Sequence, residues 1–192
     1  MINKTSLKAM RKELEEYDKA REKVIIKSRE ILKNSKSAIY ALHRKDHTKA
    51  NKLLKTAKKG IQQIKKITKK DWRLMTTGTY HDALEEYCEA ESYSQYLKNK
   101  KIPTQKQLNV DAQTYLGALC DLTGELTRKA INDAINGEYK TVQEIRETIK
   151  EIYNELSLLD WRNLAIRRKY DSIKYGLEKI EDIILKIKLE KR

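Results

Sequence analysis

The feature that most constrains the fold is the near absence of residues that interrupt a helix. The chain has one proline, Pro103, and six glycines among 192 residues. Charged residues make up 36% of it, and most are Lys, Glu and Arg, which favour helices. Across residues 5–43 apolar or small side chains recur at heptad-like spacing, with no proline or glycine between them. This segment predicts one long amphipathic helix, and the fold class predicted for the whole chain is all-α.

Cap and break signals divide the rest of the chain into helices. Asp46 is a predicted N-cap for a second helix, and Asp111 for a later one. Pro103 forces the break that follows a third helix, which is predicted to end near residue 98. The predicted helices after the first span 47–67, 76–98, 104–108 (a single turn), 112–136, 141–157 and 162–189. The expected architecture is one domain, residues 1–192, built as a bundle of about seven long antiparallel helices.

Apolar runs and cysteines indicate the cellular location. No segment approaches 18 consecutive apolar residues, so no membrane span is predicted. The first residues lack the apolar core of a signal peptide. Cys88 and Cys120 lie in apolar helical surroundings and are predicted to be reduced, buried thiols. We therefore expect a cytoplasmic protein.

The charge is distributed unevenly along a chain whose net charge is +14. Residues 1–73 carry a net charge of +15, residues 74–159 carry −5 and residues 160–192 carry +4. A basic segment before an acidic middle indicates a polyanionic partner that is brought to a carboxylate site. A lysine-rich helix face that only keeps the protein in solution explains the charge equally well.

Two segments of this basic chain contain no Lys or Arg at all. Residues 74–97 hold five acidic residues, and residues 108–127 hold three. Helical geometry puts Asp82, Glu86 and Glu89 on one face, and Asp121 and Glu125 one turn apart on another helix. Carboxylates gathered in this way suit a hard cation such as Mg²⁺. The alternative is a solvated acidic face, although the apolar neighbours of these residues weigh against full exposure.

Two glycines inside a predicted helix suggest a close approach. Gly117 and Gly124 lie seven residues apart, hence on one helix face. A glycine within a helix costs up to about 1 kcal/mol relative to alanine. We therefore expect another helix or a ligand to approach the backbone at these positions.

Three segments resemble, in order, the signature of the translin family. They are residues 84–90 (LEEYCEA), residues 115–128 (YLGALCDLTGELTR) with 136–139 (NGEY), and residues 167–175 (RRKYDSIKY). The resemblance covers residues 70–190 well. Before residue 70 it consists mainly of a shared pattern of long basic helices.

The resemblance implies a particular activity. One branch of the family, translin, resembles a non-catalytic binder of single-stranded nucleic acid, whereas translin-associated factor X supplies the carboxylates of a Mg²⁺-dependent endoribonuclease. By match to that second branch, Glu86, Glu89, Asp121 and Glu125 are the expected catalytic and metal-binding residues. The expected metal is Mg²⁺, with Mn²⁺ as a substitute. A bound metal ion can activate water near neutral pH and neutralise charge on the phosphate.

The resemblance also implies partners. The expected partners are single-stranded RNA, with single-stranded DNA as a second candidate, and further copies of the chain in a closed octamer. A separate translin-like subunit is compatible with the sequence but is not implied by it. The alternatives are a non-catalytic RNA- or DNA-binding protein and a purely structural helical adaptor. The expected nucleic-acid contacts are basic residues: Lys69, Lys70, Arg73, Arg128, Arg167, Arg168 and Lys169.

Overall fold

A computed structural model describes residues 2–161 and 164–190. Within them the chain forms seven α-helices, one short 3-10 helix (Trp72–Thr76) and no strand. The all-α prediction is therefore confirmed, and each predicted helix is present. The predicted start of the last helix, Arg162, lies outside the described residues. The helices are α1 (Lys4–His43), α2 (His47–Thr68), α3 (Gly78–Asn99), α4 (Gln105–Leu108), α5 (Ala112–Ile135), α6 (Tyr139–Ser157) and α7 (Leu164–Glu190).

The two predicted N-caps are formed as expected. A side-chain oxygen of Asp46 accepts a hydrogen bond from the backbone N–H of Lys49 at 3.0 Å, where α2 begins. Asp111 accepts in the same way from the N–H of Thr114 at 2.9 Å, where α5 begins. Such bonds satisfy backbone donors that have no partner within the helix. The cap at Asp111 fixes the start of the helix that carries Asp121 and Glu125.

The chain divides into two compact units, Met1–Tyr87 and Cys88–Arg192. Helix α3 crosses the division, with its first ten residues in the first unit. The expectation of a single domain stays a prediction.

In the first unit α1 packs along α2 as a helical hairpin. Gly60 of α2 allows this approach, because a Cβ there would lie 2.7 Å from Cγ1 of Ile31. Burial on α1 begins only at Val24. The apolar residues of the heptad-like pattern begin well before this point, at residue 7. Leu7, Met10 and Leu14 are instead exposed within the chain, since the hairpin partner covers only the second half of α1.

In the second unit α5, α6 and α7 pack on one another in pairs. Their apolar faces meet in a core that includes Leu122, Leu126, Ile145, Ile149, Ile173 and Ile180. Helix α7 approaches α5 closely at Gly176, where a Cβ would lie 2.7 Å from Oγ1 of Thr127 on α5. At Gly124 a Cβ would meet nothing within 4 Å, so no helix of the described chain approaches the backbone there, and the alternative of a ligand stays a prediction.

Both cysteines are free and buried, as predicted. In the part of the chain that the structure describes, none of the helices is both long and apolar enough to cross a membrane.

Candidate carboxylate site

The first pair of candidate carboxylates lies on α3. Glu86 and Glu89 are three residues apart and therefore lie about one turn apart on the same side of the helix. Glu89 is only 8% exposed, and the Glu86 side chain is 17% exposed. Their neighbours Tyr87 and Cys88 are buried. An acid this deeply placed is uncommon unless it is partnered, so the interpretation as a solvated acidic face does not fit Glu86 and Glu89, although it fits Asp82, which is exposed at the start of the same face.

The second pair lies on α5. Asp121 and Glu125 are four residues apart, and their side chains are 33% and 23% exposed. Leu122, between them in sequence, is fully buried in the helical core of the second unit. The pair therefore sits at the border of that core, where the carboxylates are partly removed from water but can still be reached by a ligand.

Basic side chains of the chain itself lie beside Asp121, Glu125 and Glu86. The Lys169 ammonium of α7 donates to Oδ2 of Asp121 at 2.6 Å. Nη1 of Arg128 lies 4.0 Å from Oε2 of Glu125, one turn along α5. In the first unit, Nζ of Lys36 on α1 lies 3.8 Å from Oε2 of Glu86. The N–O distance between Lys169 and Asp121 is that of a charge-assisted hydrogen bond, whereas the distances in the other two pairs are too long for one.

The donor chemistry of these residues fits a hard divalent cation. Carboxylate oxygens are the ligands that Mg²⁺ takes, and each helix presents two of them within one turn. Among residues 2–161 and 164–190, however, no three acids, histidines or cysteines are grouped closely enough to hold a metal ion. The convergence of all four carboxylates on one ion therefore stays a prediction.

A buried tyrosine adjoins the acids of α5. Tyr93 of α3 is fully buried, and burial raises the pKa of its hydroxyl, as do the charges of Glu125 and Asp133. Asp133 is itself buried and accepts from Lys129 at 2.8 Å through both of its oxygens. Tyr93, Lys129 and Asp133 were not singled out from the sequence. The spacing of Lys129 and Asp133 signals an i,i+4 pair but not its burial.

The basic residues of the first unit differ in how they are engaged. Lys69 and Lys70 are exposed at the end of α2. Arg73 instead forms a two-pronged bond with the carboxylate of Asp71, at 2.7 and 3.0 Å. Its guanidinium also lies 3.5 Å from Glu13 and 4.8 Å from the ring centre of Tyr17. The hydrogen bond from Arg73 lowers the pKa of Asp71, and the same bond raises the pKa of Arg73.

The three basic residues at the start of α7 also differ in their exposure and in their contacts. Arg167 and Arg168 are exposed, and Arg167 lies 3.6 Å from Asp171. Lys169 faces α5 and bonds Asp121. Tyr170, next in sequence, stacks on Tyr153 and Trp161 at centroid distances of 5.1 and 5.3 Å. Burial and a hydrogen bond with Tyr153 raise the pKa of Tyr170 to about 12. The stack anchors the start of α7, and with it the position of Lys169.

The fold and these motifs define an all-α helical-bundle protein with a basic surface and two acidic helix pairs. A model of the translin family matches residues 19–191, and the chain belongs to the translin family. The family resemblance drawn from three segments of the sequence is thereby confirmed.

Two relatives illustrate the similarity in sequence. The chain is 31% identical over 80 residues to translin of Gallus gallus, a match that covers 42% of this chain and 35% of that protein. The matched segment thus spans about a third of the length of the curated translins. The chain is 24% identical over 230 residues to translin-associated protein X of Rattus norvegicus, covering 96% of this chain and 78% of that protein.

Solved structures share the fold over nearly the whole chain. Apo-NeC3PO superposes with a TM-score of 0.88 at 25% identity, covering 96% of this chain and 97% of that one. AfC3PO in complex with duplex RNA superposes with a TM-score of 0.85 at 24% identity, with the same coverage. The second likeness shows the fold alone.

Proposed function

We propose that this protein is a Mg²⁺-dependent endoribonuclease that cleaves single-stranded RNA. Its proposed active site consists of the carboxylates of Glu86, Glu89, Asp121 and Glu125. The observation that carries the proposal is the placement of these acids. In a chain of net charge +14, two helices each present two partly or fully buried carboxylates within one turn. Sequence similarity along nearly the whole chain to translin-associated protein X supports the same interpretation.

Each group of residues has a task in this proposal. The four carboxylates would hold the metal ion, which when bound supplies a Lewis acid for water activation and for charge on the phosphate. Glu89, the most buried of them, would be the most strongly oriented. Arg128 lies beside Glu125 and is exposed, so it can neutralise that acid or contact the phosphate. Mn²⁺ would replace Mg²⁺ because it also accepts oxygen ligands.

Binding of RNA would precede cleavage through the exposed basic residues. Interactions of lysine or arginine with phosphates supply affinity without reading sequence. The proposed substrate class, single-stranded RNA, follows from the similarity to translin-associated protein X, and single-stranded DNA is the second candidate. Lys169 would bind phosphate only after leaving Asp121. The other proposed phosphate ligands are Lys69, Lys70, Arg73, Arg128, Arg167 and Arg168.

Assembly into an oligomer forms part of the proposal. Two apolar helix faces are exposed within the chain. The face on α1 consists of Leu7, Met10 and Leu14, and the face on α7 consists of Tyr175, Leu185 and Leu189. Exposed apolar surface of this kind is typical of subunit contacts. We propose a homo-octamer in the cytoplasm, with the acidic sites facing its interior.

A non-catalytic protein that binds single-stranded RNA or DNA is the second candidate. The ion pairs Lys169–Asp121 and Lys36–Glu86 favour it, because they show acids that serve in helix packing. Incubation of the purified protein with end-labelled single-stranded RNA, in Mg²⁺ or in EDTA, separates the two. Fragments in Mg²⁺ alone support the nuclease, whereas intact RNA that is bound under both conditions supports the second candidate.

A further inference from the structure

A short ion pair at the carboxylates joins α5 to α7. Nζ of Lys169 lies 2.6 Å from Oδ2 of Asp121, and the two side chains are 35% and 33% exposed. The distance is short for an ammonium–carboxylate hydrogen bond. The bond therefore gives Asp121 a defined partner within the chain.

The position of Lys169 is set by packing rather than by the ion pair alone. On one side, Tyr170 stacks with Tyr153 and Trp161. Two turns further along α7, Gly176 lies against Thr127 of α5. The first contact holds α7 against α6 and the second holds it against α5, so the backbone at Lys169 is fixed and only its side chain has to be ordered on pairing.

We infer that Lys169 is a positioning residue, the resident counter-ion of Asp121, and that it competes with the divalent cation for this carboxylate. The inference rests on the proposed metal-dependent function. A metal ion on either oxygen of Asp121 would lie within a few ångströms of the Lys169 ammonium, and two positive charges at that distance repel each other. A metal ion at Asp121 therefore favours release of Lys169, and the free energy needed to break this bond weakens metal binding in the absence of RNA. A lysine so displaced remains close to the site and becomes available to a phosphate.

The chain offers a matched control for a test. Lys174 lies on the same helix, is exposed, and is 3.9 Å from Glu178, which is not a candidate ligand. The variants Lys169→Met and Lys174→Met remove the same charge from α7. Lys169→Arg keeps the charge at position 169.

The experiment measures Mn²⁺ binding to the RNA-free protein from the electron paramagnetic resonance signal of free Mn²⁺. Because a partly exposed ion pair is weak, Lys169→Met is expected to lower the Kd for Mn²⁺ by about fivefold. Lys174→Met and Lys169→Arg should stay within about twofold of the parent protein. A second readout is the rise in Tm on adding Mn²⁺, which should be larger for Lys169→Met than for the parent.

Three outcomes decide against the inference, and they are distinguishable. If Lys169→Met binds Mn²⁺ as the parent does while Asp121→Asn binds it more weakly, Lys169 is only structural and the nuclease proposal survives. If Lys169→Arg behaves like Lys169→Met, side-chain shape and not charge controls the site, and the inference fails. If neither the parent nor Lys169→Met binds Mn²⁺ at millimolar concentration, the inference and the metal-dependent function both fail.

Discussion

The ammonium of Lys169 on α7 bonds the carboxylate of Asp121 on α5 at 2.6 Å. These residues lie 48 positions apart in the sequence, in segments with opposite net charge. The bond connects the basic run at the start of α7 directly to a candidate metal ligand. It therefore joins two features that the sequence presented as separate, a basic nucleic-acid contact and an acidic site.

The strength of this pair can be measured with a double-mutant cycle. Both side chains are about one-third exposed, so solvent screens much of their attraction. We expect Lys169→Met and Asp121→Asn to couple by about 0.5–1 kcal/mol in the free energy of unfolding. Urea titrations in EDTA would measure it, and the coupling should shrink in about 1 M NaCl, where the screening length is about 3 Å. A coupling of zero in low salt would mean that the pair has no energetic role.

Salt dependence of RNA binding should separate the basic residues of the first unit. Lys69 and Lys70 are exposed, whereas Arg73 already bonds Asp71. Removing one positive charge that binds a phosphate of a single strand should reduce the slope of log K against log salt by about 0.7. We expect Lys69→Gln and Lys70→Gln each to reduce the slope by that amount, and Arg73→Gln to reduce it by less. Fluorescence anisotropy at several salt concentrations measures this, and an equal effect of all three would contradict the structure.

Assembly should depend on the first half of α1. Met10 and Leu14 are 54% and 59% exposed, and α2 does not cover them. If another subunit covers them, a charge there must be buried at the contact and should be strongly unfavourable. We expect Leu14→Glu to shift the mass in light scattering from an octamer to a smaller species without loss of helix content. Lys12→Glu, at an exposed position on the same helix, is the control. A parent protein that is monomeric across micromolar concentrations would refute the assembly.

Two glycines should respond to alanine in opposite directions. At Gly176 a new Cβ would lie 2.7 Å from Oγ1 of Thr127, a β-branched side chain with little freedom to move. We expect Gly176→Ala to destabilise the protein by about 1–2 kcal/mol despite the gain in helix propensity. At Gly124 nothing lies within 4 Å, so Gly124→Ala should stabilise α5 by up to about 1 kcal/mol. Chemical unfolding measures both, and a stabilising Gly176→Ala would show that α7 is not held against α5 there.

The sequence predicted what depends on neighbouring residues. Asp46 and Asp111 cap α2 and α5 as expected, because an N-cap needs only the next three residues. The shared helical side of Asp121 and Glu125 followed from the period of a helix. The spacing indicated a possible cation site, and the family resemblance indicated a catalytic role for these acids.

What the sequence could not predict depends on which helix packs against which. The periodic pattern of α1 gave no sign that burial would begin only at Val24. Gly124 and Gly176 look alike in sequence, and only the packing of α7 on Thr127 distinguishes them. The partners Lys169 and Lys36 come from other helices than the carboxylates they pair with, so no local pattern indicates them.

The most direct test of the proposed nuclease compares RNA cleavage by three glutamate-to-glutamine variants in Mg²⁺. Glu89→Gln and Glu125→Gln keep side-chain shape and remove charge from proposed ligands. Glu91→Gln changes an acid on α3 that accepts a hydrogen bond from Gln95 and has no proposed role in metal binding. RNA binding is measured on the same preparations. We predict that Glu89→Gln and Glu125→Gln bind RNA as the parent does and cleave it at least about a hundredfold more slowly, while Glu91→Gln cleaves normally. Cleavage at the parental rate by both Glu89→Gln and Glu125→Gln would contradict the proposed role of these carboxylates.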